Sequence, residues 1–238
     1  MQNAYRNEAS HVFLREEAVN AKKVLLSVIL GLIVVAAAFA ADVLWNIFTT
    51  PSAPYPGEIR VYDGQKLGSI NDFRLEAING IQYIDANSYL LTVTGLVKKD
   101  KAYTYDDVIN NHASYEKVVT LECVEGWSVK ALWQGVRVKD LLEEAGYDQS
   151  AQVVIFYAQD GYSTSLPLSY IVNSNIMIAY KVNNVTLPAK EGFPFQLVAE
   201  GKYGYKWIKW LTTIDVSNDT SFLGYWESRG YDNGGNLP

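Results

Sequence analysis

Thr120-Leu-Glu-Cys-Val-Glu-Gly-Trp-Ser128 reads as the end of a strand and the turn that follows it. Its front half continues from Val118, so 118–124 is rich in β-branched and apolar residues. Cys123, the only cysteine of the chain, stands where strand gives way to turn. Outward from it, short apolar runs keep alternating with turn signals. Tyr89–Val97 is strand-like and interrupted at Gly95, a bulge or turn candidate. Val153–Tyr157, Ile176–Val182 and Phe195–Ala199 are further strands, and Trp207–Val216 opens aromatic and closes β-branched. Asp160-Gly161 is a hairpin-type turn. Helical signals are fewer. Thr104 before Tyr105-Asp-Asp107 predicts a helix start with Thr104 as N-cap and acids in the first turn. Val138, Leu141, Leu142 and Ala145 share one face of a short helix that Gly146 ends. Strands outnumber helices and the connections are irregular, so the predicted class is α+β with a mixed sheet.

The chain has 238 residues, 49% of them hydrophobic and 19% charged, which suits a globular body with a real core. Its net charge of −6 includes no basic stripe, so nucleic acid is not an expected partner. A single cysteine excludes an intrachain disulfide. Val24–Ala41 is an uncharged run of 18 residues, which as a helix covers roughly 27 Å of a roughly 30 Å hydrocarbon layer. Arg6, Arg15, Lys22 and Lys23 precede it and the next basic residue is Arg60, an asymmetry that places the N-terminus in the cytoplasm and the body outside. A cleaved signal peptide, with Ala38-Phe39-Ala40 before the cut, is the rival reading. The expected organisation is a cytoplasmic segment 1–23, a single-pass anchor 24–48 in the cell membrane, a proline-rich spacer 49–57 and one domain 58–238. Asn184-Val-Thr186 and Asn218-Asp-Thr220 fit the glycosylation pattern.

Most catalytic kits are missing. There is no phosphate-binding loop, no GxGxxG after a strand and no GxSxG. Of the two histidines, His11 precedes the apolar run and His112, in Asn110-Asn-His-Ala-Ser114, reads as an exposed loop residue. One histidine and one cysteine cannot build a closed zinc site of the common types. Cys123 on its own is either a buried inert thiol or a ligand. Glu122 and Glu125 flank it, which does not favour a nucleophilic thiolate, but a bound cation would deprotonate it outright. Gly201-Lys-Tyr-Gly-Tyr-Lys-Trp-Ile-Lys209 carries three lysines and no acid. It is either a basic edge strand or an anion site. In a regular strand Lys206 and Lys209 face opposite ways, so both reach one ligand only if the segment bends or begins as a loop.

At these segments the chain resembles the sulfite oxidase-type molybdopterin-binding oxidoreductases, in the form of a prokaryotic, membrane-anchored member. The resemblance begins with Thr120–Ser128 and continues through Trp133-x-Gly135-Val136, Leu141-Leu142, Asp160-Gly161-Tyr162 and Gly192-Phe-Pro194. Tyr203-Gly-Tyr-Lys206, Lys209-Trp210 and Gly224-Tyr-Trp-Glu227 with Arg229-Gly-Tyr231 complete it, in order over about residues 70–231. It implies a molybdenum ion held by one pterin dithiolene and by the Cys123 thiolate. Lys206 and Lys209 map to positions that bind the pterin phosphate, and Gly204 and Tyr205 bring backbone to the cofactor. Trp127, Tyr162 and Tyr225 are the pocket-wall candidates, with Tyr162 and Tyr225 beside Cys123 as the catalytic ones. The activity implied is oxygen-atom transfer on a small substrate, with electrons exchanged with a separate haem- or quinone-linked partner. A non-catalytic pterin- or anion-binding module of the same fold is the alternative. The family often has His and Arg around the Gly-x-Pro segment; here Glu191 precedes Gly192 and Gln196 stands at the Arg position, with Lys190 nearby.

Overall fold

A computed structural model describes residues 22, 26, 28–41 and 55–238. The chain divides into two compact units, one ending at Pro54 and the other spanning Tyr55–Pro238. In the first, residues 28–41 form a helix, α1, and all of them are exposed. No helix among the described residues is long and apolar enough to cross a membrane. The expected anchor 24–48 extends past the described residues on both sides of α1, and residues 49–54 of the expected spacer lie outside them.

The second unit is built on two five-stranded sheets and a small hairpin of β1 (Val61–Tyr62) and β2 (Gln65–Lys66). One large sheet has the order β4 (Lys101–Thr104), β3 (Leu90–Gly95), β12 (Leu211–Ser217), β7 (Val153–Ala158), β8 (Ser163–Pro167). Its β3–β12 pair is parallel and the others antiparallel, so the mixed sheet expected from the sequence is present. The other sheet pairs β5 (Tyr115–Glu122) with β6 (Ser128–Arg137), and β6 with β9 (Met177–Val182). Strand β9 also pairs with β10 (Val185–Thr186) and with β11 (Gln196–Val198). Trp133, Leu141, Phe156, Phe195 and Ile214 are fully buried in the core between these elements.

Strand β6 is the longest and was not legible as one. Its alternation is clean at Ser128-Val-Lys-Ala131 but breaks at Leu132-Trp133, both buried, and its register against β9 shifts between Gln134 and Gly135. Gly135 is required there: a Cβ would stand 2.1 Å from the carbonyl oxygen of Ile178 on β9.

Three short helices complete the unit: α2 (Tyr105–Asn111), α3 (Val138–Ala145) and α4 (Leu168–Asn173). Gly146 ends α3 in the left-handed conformation at φ 69°. Thr104 caps α2 as expected, accepting from Asp107 N at 3.1 Å while Thr104 N donates to Asp107 Oδ2 at 3.0 Å. Removing the cap in Thr104→Ala lowers stability by about 1 kcal/mol, read from urea denaturation. The hydroxyl and then the N–H of Thr104 hold the Asp107 carboxyl below the ordinary carboxylate range. Its folded value being depressed, the contribution of this cap is complete above the unfolded pKa and fades as pH falls through the folded one.

His112 corrects the expectation of an exposed loop residue. It is the C-cap of α2, and its side chain is only 9% exposed. Nε2 lies 3.0 Å from Glu144 Oε2 of α3, and the ring meets Tyr103 edge-on at 5.4 Å. Packing of α2 and β4 against α3 engages a side chain that its polar neighbours suggested was free.

Candidate functional site

Cys123 sits in the loop 123–127 that joins β5 to β6. Cys123 N donates to Trp127 O at 2.9 Å and Gly126 N to Cys123 O at 3.0 Å, which closes the turn and leaves the thiol half-buried at its base. Burial pushes the thiol pKa up, the carboxylates of Glu76 and Glu125 add to the rise, and the backbone N–H of Glu125 opposes it. A free thiolate nucleophile is disfavoured by that setting. The thiol and the two carboxylates place ligand atoms within 4.8 Å of one another.

The glycine–lysine segment is not a strand at this point. Gly204–Lys206 is a single 3-10 turn, and Tyr203 bridges to Glu122, which sets the segment beside the Cys123 loop. A Cβ built on Gly204 would stand 3.4 Å from Glu122 O and 3.7 Å from Cys123 Cα, which sets this turn in van der Waals contact with the loop. Between them opens a cleft of about 990 Å³, counting space open to solvent. Cys123, Trp127, Tyr162, Gly204, Tyr205 and Lys209 all line it, so most of the candidates named from the sequence meet in one place.

Two candidates do not line the cleft. Lys206 is fully buried, and its ammonium donates to Glu227 Oε1 at 2.5 Å, Ser165 O at 3.0 Å and Thr164 Oγ1 at 3.2 Å. A cation so enclosed serves here as the counter-ion of Glu227 and is turned away from the cleft. Tyr225 stands behind the wall, 5.7 Å from the Tyr162 ring, and its neighbour Trp226 lines the cleft instead. Tyr162 is in the wall but its O–H donates to Tyr205 O at 2.6 Å, and burial, the largest cause, raises its pKa. Its observable role is to fix the Tyr205 backbone. Tyr205 in turn donates to Asp232 O at 2.7 Å, and its own pKa is pushed up to about 12, chiefly by burial.

Sequence reasoning passed over Glu76, Trp226 and Tyr231 as wall residues. For the last two the signal lay in the closing motif 224–231, where the facing residue differs from the expected one by a single position. Glu76 comes from an irregular segment with no pattern to mark it.

An α+β body that gathers a thiol and buried polar groups along one cleft is built to hold a ligand there. Residues 78–226 match the oxidoreductase molybdopterin binding domain, and the chain belongs to that family. It is 35% identical over 150 residues to the oxidoreductase YuiH of Bacillus subtilis (strain 168), covering 63% of this chain and 75% of that protein. Human mitochondrial sulfite oxidase is 28% identical over 177 residues, 62% of this chain and 32% of that one. The protein-methionine-sulfoxide reductase catalytic subunit MsrP of Gluconobacter oxydans is 26% identical over 188 residues, 69% of this chain and 60% of that one. The fold matches the sulfane dehydrogenase SoxCD of Paracoccus pantotrophus with a TM-score of 0.56, 22% identity, and 59% of this chain covered against 41% of that one. The chain is thus a molybdopterin-dependent oxidoreductase whose cofactor is molybdenum with molybdopterin.

The residues present fit that group. Cys123 offers sulfur at the cleft, Gly204 and Tyr205 bring backbone to its wall, and Trp127, whose buried Nε1 has no hydrogen-bond partner among the described residues, lines the same space. When bound, the cofactor supplies two-electron redox chemistry.

Proposed function

We propose that this chain is a membrane-anchored enzyme that transfers an oxygen atom to or from a small neutral substrate outside the cytoplasmic membrane, with Cys123 as the thiolate ligand of molybdenum. The observation that carries the reading is the convergence of Cys123, Gly204 and Lys209 on one cleft. The apolar run 24–41, with basic residues on one side only, supports a single-pass anchor with the domain outside. The segments proposed are 1–23 cytoplasmic, 24–48 anchor, 49–57 spacer and 58–238 enzyme domain. Electrons pass to or from a separate haem- or quinone-linked partner.

Charge separates the substrates named by the relatives. The cleft is lined by two cations, Arg74 and Lys209, and four carboxylates, Glu76, Glu125, Asp160 and Glu191. Two of those carboxylates stand beside Cys123. An anion such as sulfite meets repulsion where it would react, whereas a neutral sulfoxide does not. In this reading the aromatic wall of Trp127, Trp226 and Tyr231 takes the apolar part of the substrate, and Tyr162 holds the Tyr205 wall in place.

The test is made on the full chain expressed in a host that synthesises the cofactor. Molybdenum and pterin are expected in equal amount per chain, with dye-coupled reduction of a neutral sulfoxide exceeding oxidation of sulfite. Pterin without molybdenum, and no dye turnover, would favour the non-catalytic binding module instead.

A further inference from the structure

A second groove shares no lining residue with the cleft. It holds about 1310 Å³, counting space open to solvent. Its buried lining includes Val153, Leu168 and the hydroxyl-bearing Ser165. Around them stand Gln149 and Gln152 from the segment between α3 and β7, Ser169 and Asn173 of α4, and Thr220 and Asn233 of the closing segment. No Asp, Glu, Lys, Arg or His is among its lining residues, whereas two cations and four carboxylates line the cleft. Lys206 comes near, donating to Ser165 O at 3.0 Å, but its ammonium is paired with Glu227 inside the body.

The chemistry of this lining selects among ligands. A charged one would leave water for a wall that holds no counter-ion. An aliphatic one would strip water from amides and hydroxyls and replace none of its hydrogen bonds. An extended peptide pairs with a free strand edge. Strand β8 is the edge of its sheet, but Ser163 O already accepts from Tyr225 N at 2.9 Å, Ser165 O accepts from Lys206, and Pro167 has no N–H. A ligand with adjacent hydroxyls on a carbon ring meets none of these obstacles. The side chains of Gln149, Gln152 and Asn173 stand on exposed residues, and each amide has two N–H donors and a carbonyl oxygen. One such amide can answer two neighbouring hydroxyls, one as donor and the other as acceptor. Tyr147 and Val172 add apolar surface for the C–H faces of the ring.

We propose that this groove is a binding site for a neutral oligosaccharide. The inference is independent of the cofactor reading, because the two sites have no residue in common.

The experiment is calorimetric titration of the full chain, loaded with cofactor and kept in a detergent without a sugar head group. The probes are cellohexaose, maltohexaose and N-acetylated chitohexaose. Oligogalacturonate and deacetylated chitohexaose are the anionic and cationic counterparts, and an end-capped oligoalanine stands for a neutral peptide. At least one neutral oligosaccharide is expected to bind, with the charged counterparts and the peptide at least about tenfold weaker. Gln152→Ala and Asn173→Ala are each expected to weaken that binding about tenfold. Both residues are exposed, so the melting temperature of either variant is expected to match the wild type, as are its molybdenum content and dye-coupled turnover. No binding of any neutral probe would overturn the proposal. So would a charged probe or the peptide binding as tightly as the best neutral sugar, or sugar binding unaltered in both variants. A sugar that bound at the cleft instead would lower dye-coupled turnover and keep its affinity in both variants, which also defeats the assignment.

Discussion

Cys123→Ala is expected to abolish turnover of the loaded chain and its thiolate-to-metal charge-transfer absorption, while leaving the melting temperature nearly unchanged. The backbone bonds that shape the loop, Cys123 N to Trp127 O and Gly126 N to Cys123 O, do not use the sulfur. The side chain is half-buried at the cleft, so truncating it leaves no enclosed cavity and costs roughly 0.5 kcal/mol or less. Turnover falls by more than about a hundredfold, since even residues one contact removed from a metal are worth about 10–100-fold. The visible spectrum and dye-coupled rates report the ligand, and calorimetry reports the fold. Pterin content is read separately, because the polar walls of the cleft remain. A variant that kept the absorption and the rate would end the ligand assignment. One that lost stability instead would return Cys123 to the role of a packed thiol.

The largest stability effect belongs to Lys206 and Glu227. Both side chains are fully buried. Glu227 Oε1 accepts from Lys206 at 2.5 Å and from Thr164 Oγ1 at 2.6 Å. Burial lowers the Lys206 pKa, and the hydrogen bond and charge of Glu227 oppose that. Removing one partner strands the other charge in a fully buried site. Lys206→Met is therefore expected to lower stability by about 3–5 kcal/mol, and Glu227→Met similarly. The double variant should lose much less than the sum, because no charge is left alone and only neutral groups, those of Thr164, Ser165 and Asn233, lose a partner. Urea denaturation of the four chains gives the coupling directly. Additive losses would show that the two side chains do not act as a pair. The consequence reaches the cleft, because this pair ties together the turn 204–206, strand β8 and the closing segment near 227. With Gly224 packed so that a Cβ would stand 2.3 Å from Ser163 O, that corner has little room to relax.

How far the sequence could be read follows from the range of each signal. Thr104 and Gly146 were legible because caps depend on dihedral angles and hydrogen bonds within a few residues. The hairpin at Asp160-Gly161 was legible for the same reason, and Gly161 takes φ 87° there. Strand β6 was not, because its apolar pattern is broken by burial on both faces at Leu132-Trp133 and by a register shift that only pairing with β9 reveals. His112 looked free because its partner Glu144 lies on another helix.

By itself, the sequence determined the mixed α+β class, the strand that leads into Cys123, and the motifs that mark the cofactor family, since periodicity, turn chemistry and residue order are carried along the chain. Only the tertiary structure decided which members of those motifs face the cleft. It turned Lys209 toward the cleft and closed Lys206 onto Glu227, chose Trp226 over Tyr225 for the wall, and brought Glu191 and Gln196 to the same surface. The direction of a side chain in a bent segment is set by what packs against it from distant parts of the chain, and no local pattern records that.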